Sequence, residues 1–306
     1  MRVNNVKMVS STLMKNILRS YQITLTRCLS GVSSTELPEL KDLSPTITNH
    51  EELHRFSVEQ PEKFWSVLAR SRLTWSQDFH TGMDCDMKMG KFNWFLGGQL
   101  NVSVNCVDRW AALDPNRTAL VWEKDEPGQQ EAVSYSQLLD MVCQVANCLK
   151  EAGVGRGDVV ALYLPVTPLA VACMLATARI GAIHSVIFAG FSSEAIASRI
   201  NDARAKVVIT ADEAVRGGKK IPLKTTVDKA LVDCPGVKTV FVQRRTGGRV
   251  TMVNNRDLWL DDLMKTASTS CPPVMMEAED PLFLLYTSGS TGKPKVNSSI
   301  YPSEFL

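Results

Sequence analysis

The sequence has few of the features that mark metalloproteins, membrane proteins and secreted proteins. None of its eight cysteines stands in a Cys-x-x-Cys pair, and the four histidines are scattered along the chain. A zinc site needs ligands clustered at short spacings, so this pattern predicts no metal site and favours free, buried thiols in a reducing compartment. There is also no run of eighteen apolar residues, so we predict no membrane span.

The chain also lacks an excess of charge of either sign. Of its 306 residues 22% are charged, and the net charge is +2. A balance this close to neutrality gives no electrostatic basis for a nucleic-acid partner. The hydrophobic fraction of 44% and the length are sufficient for one large globular domain or two modest ones.

Acidic side chains are absent from the first 35 residues, and Glu36 is the first one. Apolar residues in this segment recur at spacings of three and four among basic and hydroxyl side chains. Lys15 and Arg19 interrupt the apolar core that a secretory signal needs. We therefore predict that residues 1–35 are a mitochondrial transit peptide, cleaved near Arg27–Ser30, which places the protein in the mitochondrial matrix. A disordered basic tail is the alternative.

Helix and strand patterns alternate from residue 134 onward. Ser134 is suited to cap a helix that Gly153 ends. Further helices are predicted at 167–182, 192–203 and around 225–232, and strands at 158–164, 183–188, 206–210, 237–242 and 281–286. This alternation predicts an α/β fold with a mainly parallel sheet and flanking helices. The aromatic-rich segment 61–109 is predicted to form short helices and loops.

The strand at 281–286 leads directly into a loop rich in glycine, hydroxyl groups and lysine. Gly289 and Gly292 let the backbone approach a ligand, and successive amides in such a loop form a concavity for an anion. Only two residues separate these glycines, so the loop is not a Walker A motif. A flexible linker is the alternative. We predict that the loop binds the phosphates of ATP through Thr287, Ser288, Gly289, Ser290, Thr291, Gly292, Lys293 and Lys295.

The loop resembles the signature loop of the acyl-adenylate-forming superfamily. Three further stretches resemble the acetyl-CoA synthetase branch, and the leader is typical of its mitochondrial members. The stretches are Trp94–Asn101 with Asn105–Asp108, Val186–Ile196 with Arg199–Asp202, and Val208–Leu223. The resemblance covers about residues 60–295 and implies an incomplete N-terminal domain of the adenylate-forming fold.

The resemblance implies an AMP-forming acetate–CoA ligase that uses ATP and CoA, with Mg²⁺ expected for the full-length enzyme. It also implies that Arg216, Gly217, Gly218 and Lys219 contact the phosphates of CoA. Family members commonly have arginine where this chain has Lys219, which keeps the charge but not the two-pronged geometry. A solvated charged turn is the alternative. A propionate or other short-chain ligase and a non-catalytic regulatory or nucleotide-binding fragment remain open.

Beyond the predicted transit peptide at 1–35, the resemblance implies an acetyl-CoA synthetase N-terminal region at 60–120 and an AMP-dependent ligase domain at 121–295. Residues 296–306 form a divergent tail, because the family pattern continues with glycine after Lys295. No catalytic residue is assignable, since the adenylation lysine and the acyl pocket belong to the missing part. We expect a C-terminally truncated chain that is inactive alone and leaves apolar surface exposed beside the strand 281–286. The oligomeric state is not predicted.

A few other residues invite functional interpretation, and for each a structural role is preferred. His184, on an apolar strand, is predicted to be a satisfied core histidine. Trp75, Trp94 and Trp110 are predicted to serve packing. Asp212 and Glu213 could pair as acids, but solvation at the surface is the favoured interpretation.

Overall fold

The computed structural model describes residues 47, 49–86, 88–287 and 295–300, with the backbone alone at 287 and 295–300. The chain divides into two compact units, Met1–Ser71 and Arg72–Leu306. In the first unit, helix α1 (His50–Glu59) begins at Asn49, whose side chain accepts a hydrogen bond from the Glu52 amide at 3.0 Å. Helix α2 (Pro61–Arg72) follows, and Phe56 and Phe64 meet edge to face with ring centroids 5.9 Å apart.

The second unit is built on a seven-stranded sheet. The strands are β6 (Val159–Tyr163), β7 (Ile183–Val186), β8 (Val207–Ala211), β11 (Thr239–Gln243), β12 (Asp257–Trp259), β14 (Pro281–Thr287) and β15 (Lys295–Ile300). Their order across the sheet is β12-β11-β8-β6-β7-β14-β15, and only β15 runs antiparallel to its neighbour. This arrangement confirms the predicted α/β fold with a mainly parallel sheet.

Helices connect the parallel strands and lie on both faces of the sheet. Helix α4 (Tyr135–Glu151) begins at Ser134 with a capping box completed by Gln137. Helix α5 (Pro168–Arg179) joins β6 to β7, and helix α6 (Ser193–Ala203) then returns past β6 to β8. Right-handed crossovers in opposite directions place α5 and α6 on opposite faces. Accordingly α4 packs on α5 and on α8 (Leu260–Thr266), whereas α6 packs on α7 (Leu223–Leu231).

Residues 72–134 contain more β-structure than the sequence predicted. Two antiparallel hairpins form here, β1 (Thr81–Asp86) with β2 (Lys91–Leu96) and β4 (Thr118–Glu123) with β5 (Gln130–Ser134). Strand β3 (Gln99–Leu100) pairs with the distant β13 (Met276–Glu277). The expectation of short helices and loops over residues 61–109 was wrong for β1, β2 and β3, because these short strands are specified by their partners rather than by alternation along the chain. A π-helical turn (Val104–Asp108) leads into α3 (Arg109–Leu113).

The core lies between the sheet and its helices. Strand β8 is buried along its whole length, and β6 and β11 are buried at their centres. Trp75 packs against Phe79 and Phe95 outside this core, with ring centroids 5.2 and 5.7 Å away, as predicted for a packing tryptophan. None of the helices in the described part of the chain is both long and apolar enough to span a membrane.

Candidate functional site

Both predicted ligand-binding segments leave the sheet at its carboxyl edge. The phosphate loop follows β14, and the segment carrying Arg216 and Lys219 follows β8. In an open parallel sheet this edge is where ligands bind, next to the point where connections leave in opposite directions. Here that point lies between β6 and β8, since α5 carries the chain toward β7 and α7 carries it toward β11. The strands β8 and β14 are three positions apart, roughly 14 Å across the sheet.

The two ends of the phosphate loop lie side by side. Thr287 at the end of β14 pairs with Lys295 at the start of β15. The loop therefore begins and ends at one place on the carboxyl edge. The intervening predicted residues Ser288, Gly289, Ser290, Thr291, Gly292 and Lys293 lie outside the described residues.

Tyr286, the residue before this loop, anchors β14 to helix α6. Its hydroxyl donates a hydrogen bond to Asp202 Oδ2 at 2.6 Å, and the Arg199 guanidinium lies 5.4 Å from its ring centre. Burial, reinforced by the neighbouring Asp202 carboxylate, raises the pKa of Tyr286, so its hydroxyl stays protonated and remains a donor. Both partners come from the stretch Arg199–Asp202, for which the sequence suggested no role.

The predicted CoA-binding residues form a tight β-hairpin. Strand β9 (Ala214–Arg216) pairs antiparallel with β10 (Lys219–Ile221), so Arg216 faces Lys219 directly. Gly217 and Gly218 have φ values of +56° and +73°, the positive values that a two-residue type I′ turn requires at both positions. No described atom lies within 4 Å of the position a Cβ would take at either glycine, so a ligand has access to the backbone.

The charges of this hairpin favour an anionic ligand. Arg216 and Lys219 share one face as an opposed pair, and like charges in that position repel each other. Both side chains are exposed. An anion bound between them would relieve this repulsion, so the geometry fits a phosphate group.

An exposed aromatic ring lies beside Arg216. The Arg216 guanidinium is 5.8 Å from the ring centre of Phe188, which meets Phe191 edge to face with centroids 5.8 Å apart. Phe188 is 57% exposed although it is apolar. The sequence placed it in a strand over 183–188, but β7 ends at Val186 and the residue lies in the loop beyond. Phe188 is therefore an exposed aromatic residue in a loop at the carboxyl edge of the sheet.

Comparisons with known proteins identify the family. The family model described as "AMP-binding enzyme" matches residues 107–297. The chain belongs to the AMP-binding enzyme family. A second model, "Acetyl-coenzyme A synthetase N-terminus", matches residues 50–106 of the chain. The two matches confirm the resemblance to the acetyl-CoA synthetase branch.

Relatives of the chain include bacterial and human proteins. "Acetyl-coenzyme A synthetase 2" of Pseudomonas putida is 53% identical over 250 residues, which are 82% of this chain and 39% of that protein. "Acetyl-coenzyme A synthetase 2-like, mitochondrial" of Homo sapiens is 53% identical over 236 residues, which are 77% of this chain and 34% of that protein. The chain thus spans well under half the length of these relatives.

A solved structure supports the same fold for this chain. The acetoacetyl-CoA synthetase from Streptomyces lividans superimposes with a TM-score of 0.76 at 26% sequence identity. The match covers 84% of this chain and 39% of that one. The described part is therefore an incomplete domain of the adenylate-forming fold.

Two expectations about titratable residues were wrong. Asp212 is fully buried rather than solvated at the surface, and it accepts backbone hydrogen bonds from the 245–248 loop. His184 is buried as predicted, but its Nδ1 has no hydrogen-bond partner among the described residues, so it is not satisfied. Burial lowers the pKa of His184 to about 4, which keeps the ring neutral at physiological pH.

The described cysteines are free, and most of them are buried. Burial raises the pKa of both Cys106 and Cys148 to about 11, so these thiols are protonated and weak nucleophiles. Within the described ranges, no three His, Cys, Asp or Glu side chains come together in a way that could hold a metal ion.

Proposed function

We propose that this chain carries the phosphate-binding and CoA-binding parts of an AMP-forming acetate–CoA ligase. The observation that supports this most directly is 53% identity to two proteins named acetyl-coenzyme A synthetase, over 250 and 236 residues. The chain covers 39% and 34% of these relatives, so the reaction of the whole enzyme belongs to the proposal.

The proposed reaction has two steps. A carboxylate oxygen of acetate attacks the α-phosphorus of ATP, the bond to the β-phosphate oxygen breaks, and acetyl-AMP and pyrophosphate form. The CoA thiol, having lost its proton, then attacks the carbonyl carbon and AMP leaves. The loop from Thr287 to Lys295 would neutralise the charge on the leaving pyrophosphate, which lowers the barrier of the first step. Mg²⁺ bound with ATP would share this neutralisation.

The hairpin formed by β9 and β10 would hold CoA. Arg216 and Lys219 present opposed positive charges to the phosphate monoester of CoA, the group that dephospho-CoA lacks, and the adjacent Gly217 and Gly218 leave room for it. The exposed ring of Phe188 beside Arg216 offers a flat surface on which a planar base can stack. Substitution of Arg216 by alanine should therefore weaken CoA binding more than ATP binding.

Adenylation is tested by exchange of labelled pyrophosphate into ATP in the presence of acetate. We propose that the 306-residue chain binds ATP but shows no exchange on its own, because phosphate binding without an acyl pocket and an adenylation lysine does not align the reactants. The same chain with Lys293→Ala is the control. Acetate-dependent exchange above this control would refute the inactivity of the isolated chain.

The choice of acyl group is a separate question. The structural relative from Streptomyces lividans is named for acetoacetate, so related folds accept different short acids. The acid preference is tested by comparing acetate, propionate and acetoacetate in the exchange assay, with a fusion protein that extends this chain to the length of its relatives. Faster exchange with propionate than with acetate would favour a propionate ligase.

We also propose that the protein is delivered to the mitochondrial matrix by residues 1–35. The human relative is named mitochondrial, and the acid-free, basic leader supports the same destination. Fusion of residues 1–35 to a fluorescent reporter should direct it to mitochondria. The matched control replaces Lys15 and Arg19 by glutamate, which should leave the reporter in the cytosol.

A further inference from the structure

A buried carboxylate, Asp212, lies between the end of β8 and the start of the proposed CoA-binding hairpin. Asp212 follows β8 immediately, is 0% exposed, and accepts hydrogen bonds from four backbone amides. Asp212 Oδ1 accepts from Glu213 N at 2.6 Å and Arg245 N at 2.9 Å, and its two oxygens also accept from Thr246 N at 3.2 Å and Gly248 N at 3.1 Å. Three of these amides belong to the 245–248 loop, so the Asp212 carboxylate fixes the position of that loop.

The loop held by Asp212 in turn holds Glu213. The Thr246 hydroxyl donates to Glu213 Oε2. A Cβ added at Gly248 would lie 2.5 Å from the carboxyl carbon of Glu213, so the loop backbone packs directly against this carboxylate. Both contacts restrict where the Glu213 side chain can go.

Glu213 then holds the hairpin. Lys220 Nζ lies 3.0 Å from Glu213 Oε2. In the register of the hairpin, Lys220 is opposite Val215, whereas Lys219 is opposite Arg216. Successive residues alternate between faces, so the ion pair tethers the face that does not carry Arg216 and Lys219.

We propose that Asp212 and Glu213 are positioning residues for CoA binding, acting through the 245–248 loop and Lys220 to present Arg216 and Lys219 to the ligand. The inference rests on the proposed function of the hairpin. Neither carboxylate touches the ligand. Each instead determines how the paired positive charges of the hairpin are oriented.

The test compares CoA with dephospho-CoA, which lacks one phosphate, by titration calorimetry on the chain. Glu213→Gln keeps an acceptor for Thr246 but removes the charge that holds Lys220. We expect the affinity for CoA to fall about threefold to fivefold, the range for partly exposed ion pairs, while dephospho-CoA and ATP bind as before. Asp158→Asn is the matched control, because Asp158 pairs with Lys206 at similar exposure and lies at the opposite edge of the sheet.

A second variant tests whether the loss of CoA affinity comes from the position of Glu213 or from a general loss of structure. Gly248 has no positive φ, and the three atoms nearest to a Cβ added there all belong to Glu213, so Gly248→Ala chiefly displaces the Glu213 side chain. It should weaken CoA binding in the wild-type background and have no further effect when Glu213→Ala is already present. Equal loss for CoA and dephospho-CoA, or unchanged CoA affinity in Glu213→Gln, would overturn the inference alone. A wild-type chain that binds both ligands equally would overturn the proposed function of the hairpin and this inference with it.

Discussion

Strands β8 and β14 belong to one sheet, but their surroundings differ. Every residue of β8 is buried between helices, whereas Leu285 of β14 is 48% exposed and Val186 of the adjacent β7 is 45% exposed. An apolar groove of about 410 Å³ runs along this side, lined by residues of β7, β14 and α5. The β8 side is therefore the more completely packed, and the β14 side keeps apolar surface in contact with solvent.

A matched pair of leucine substitutions should give the largest contrast between the two sides. Leu162 of β6 is 2% exposed and Leu285 is 48% exposed. Leu162→Ala should lower the free energy of unfolding by about 3–5 kcal/mol, because it removes buried apolar surface and leaves a cavity. Leu285→Ala should lower it by less than about 1.5 kcal/mol. Urea unfolding of both variants measures the difference, and equal losses would contradict the comparison.

A fall in pH should lower the stability of the β14 side of the sheet through His184. The folded-state pKa is lowered to about 4 by burial, while an unfolded histidine titrates near 6.5. The unfolded chain therefore binds the proton first. The stability contributed by the neutral ring is complete above pH 6.5 and is lost as pH falls toward 4, by about 3 kcal/mol in total.

Unfolding free energies measured between pH 7 and pH 4 test this expectation. His184→Gln removes the titrating group and carries the same carboxylates as the wild type, so the difference between the two curves isolates the histidine. A wild-type curve parallel to that of the variant would show that His184 is not the group responsible.

The hydrogen bond that joins Tyr286 of β14 to helix α6 should contribute less to the free energy of unfolding than His184 does. Tyr286→Phe removes the hydroxyl that donates to Asp202 at 2.6 Å. We expect a loss of about 1 kcal/mol in unfolding free energy, since Asp202 is exposed and can turn to water instead. Asp202→Asn, which keeps an acceptor, should lose less. Thermal stabilisation by ATP should also decrease in Tyr286→Phe, because β14 leads into the phosphate loop.

The sequence predicted the alternating helices and strands of this fold well. Ser134 caps helix α4 and Ser192 caps helix α6, as the cap residues and the apolar spacing indicated. The segment from Arg216 to Lys219 was singled out by its resemblance to a family, and its two glycines indicated a turn but not the hairpin around it. In these segments the information is local, so a short window of residues is sufficient to specify the structure.

The sequence could not predict contacts made by distant backbone. Asp212 is buried because amides more than thirty residues away surround it, and no pattern near Asp212 reports them. Strand β3 pairs with β13, about 180 residues further on, for a similar reason. The position of Phe188 beside Arg216 likewise depends on where two separate loops leave the sheet.

The smallest effect on stability is expected at the exposed end of β7. Val186→Thr keeps nearly the same shape and exposes its hydroxyl to water, so the unfolding free energy should change by no more than about 0.5 kcal/mol. The same substitution at the fully buried Val208 leaves a hydroxyl in the core and should destabilise the chain by about 1–3 kcal/mol. Binding of an apolar fluorescent dye should nevertheless decrease in Val186→Thr, because Val186 lines the groove. Unchanged dye binding would show that the dye does not bind in this groove. The exposed apolar surface inferred for the β14 side would then lack support.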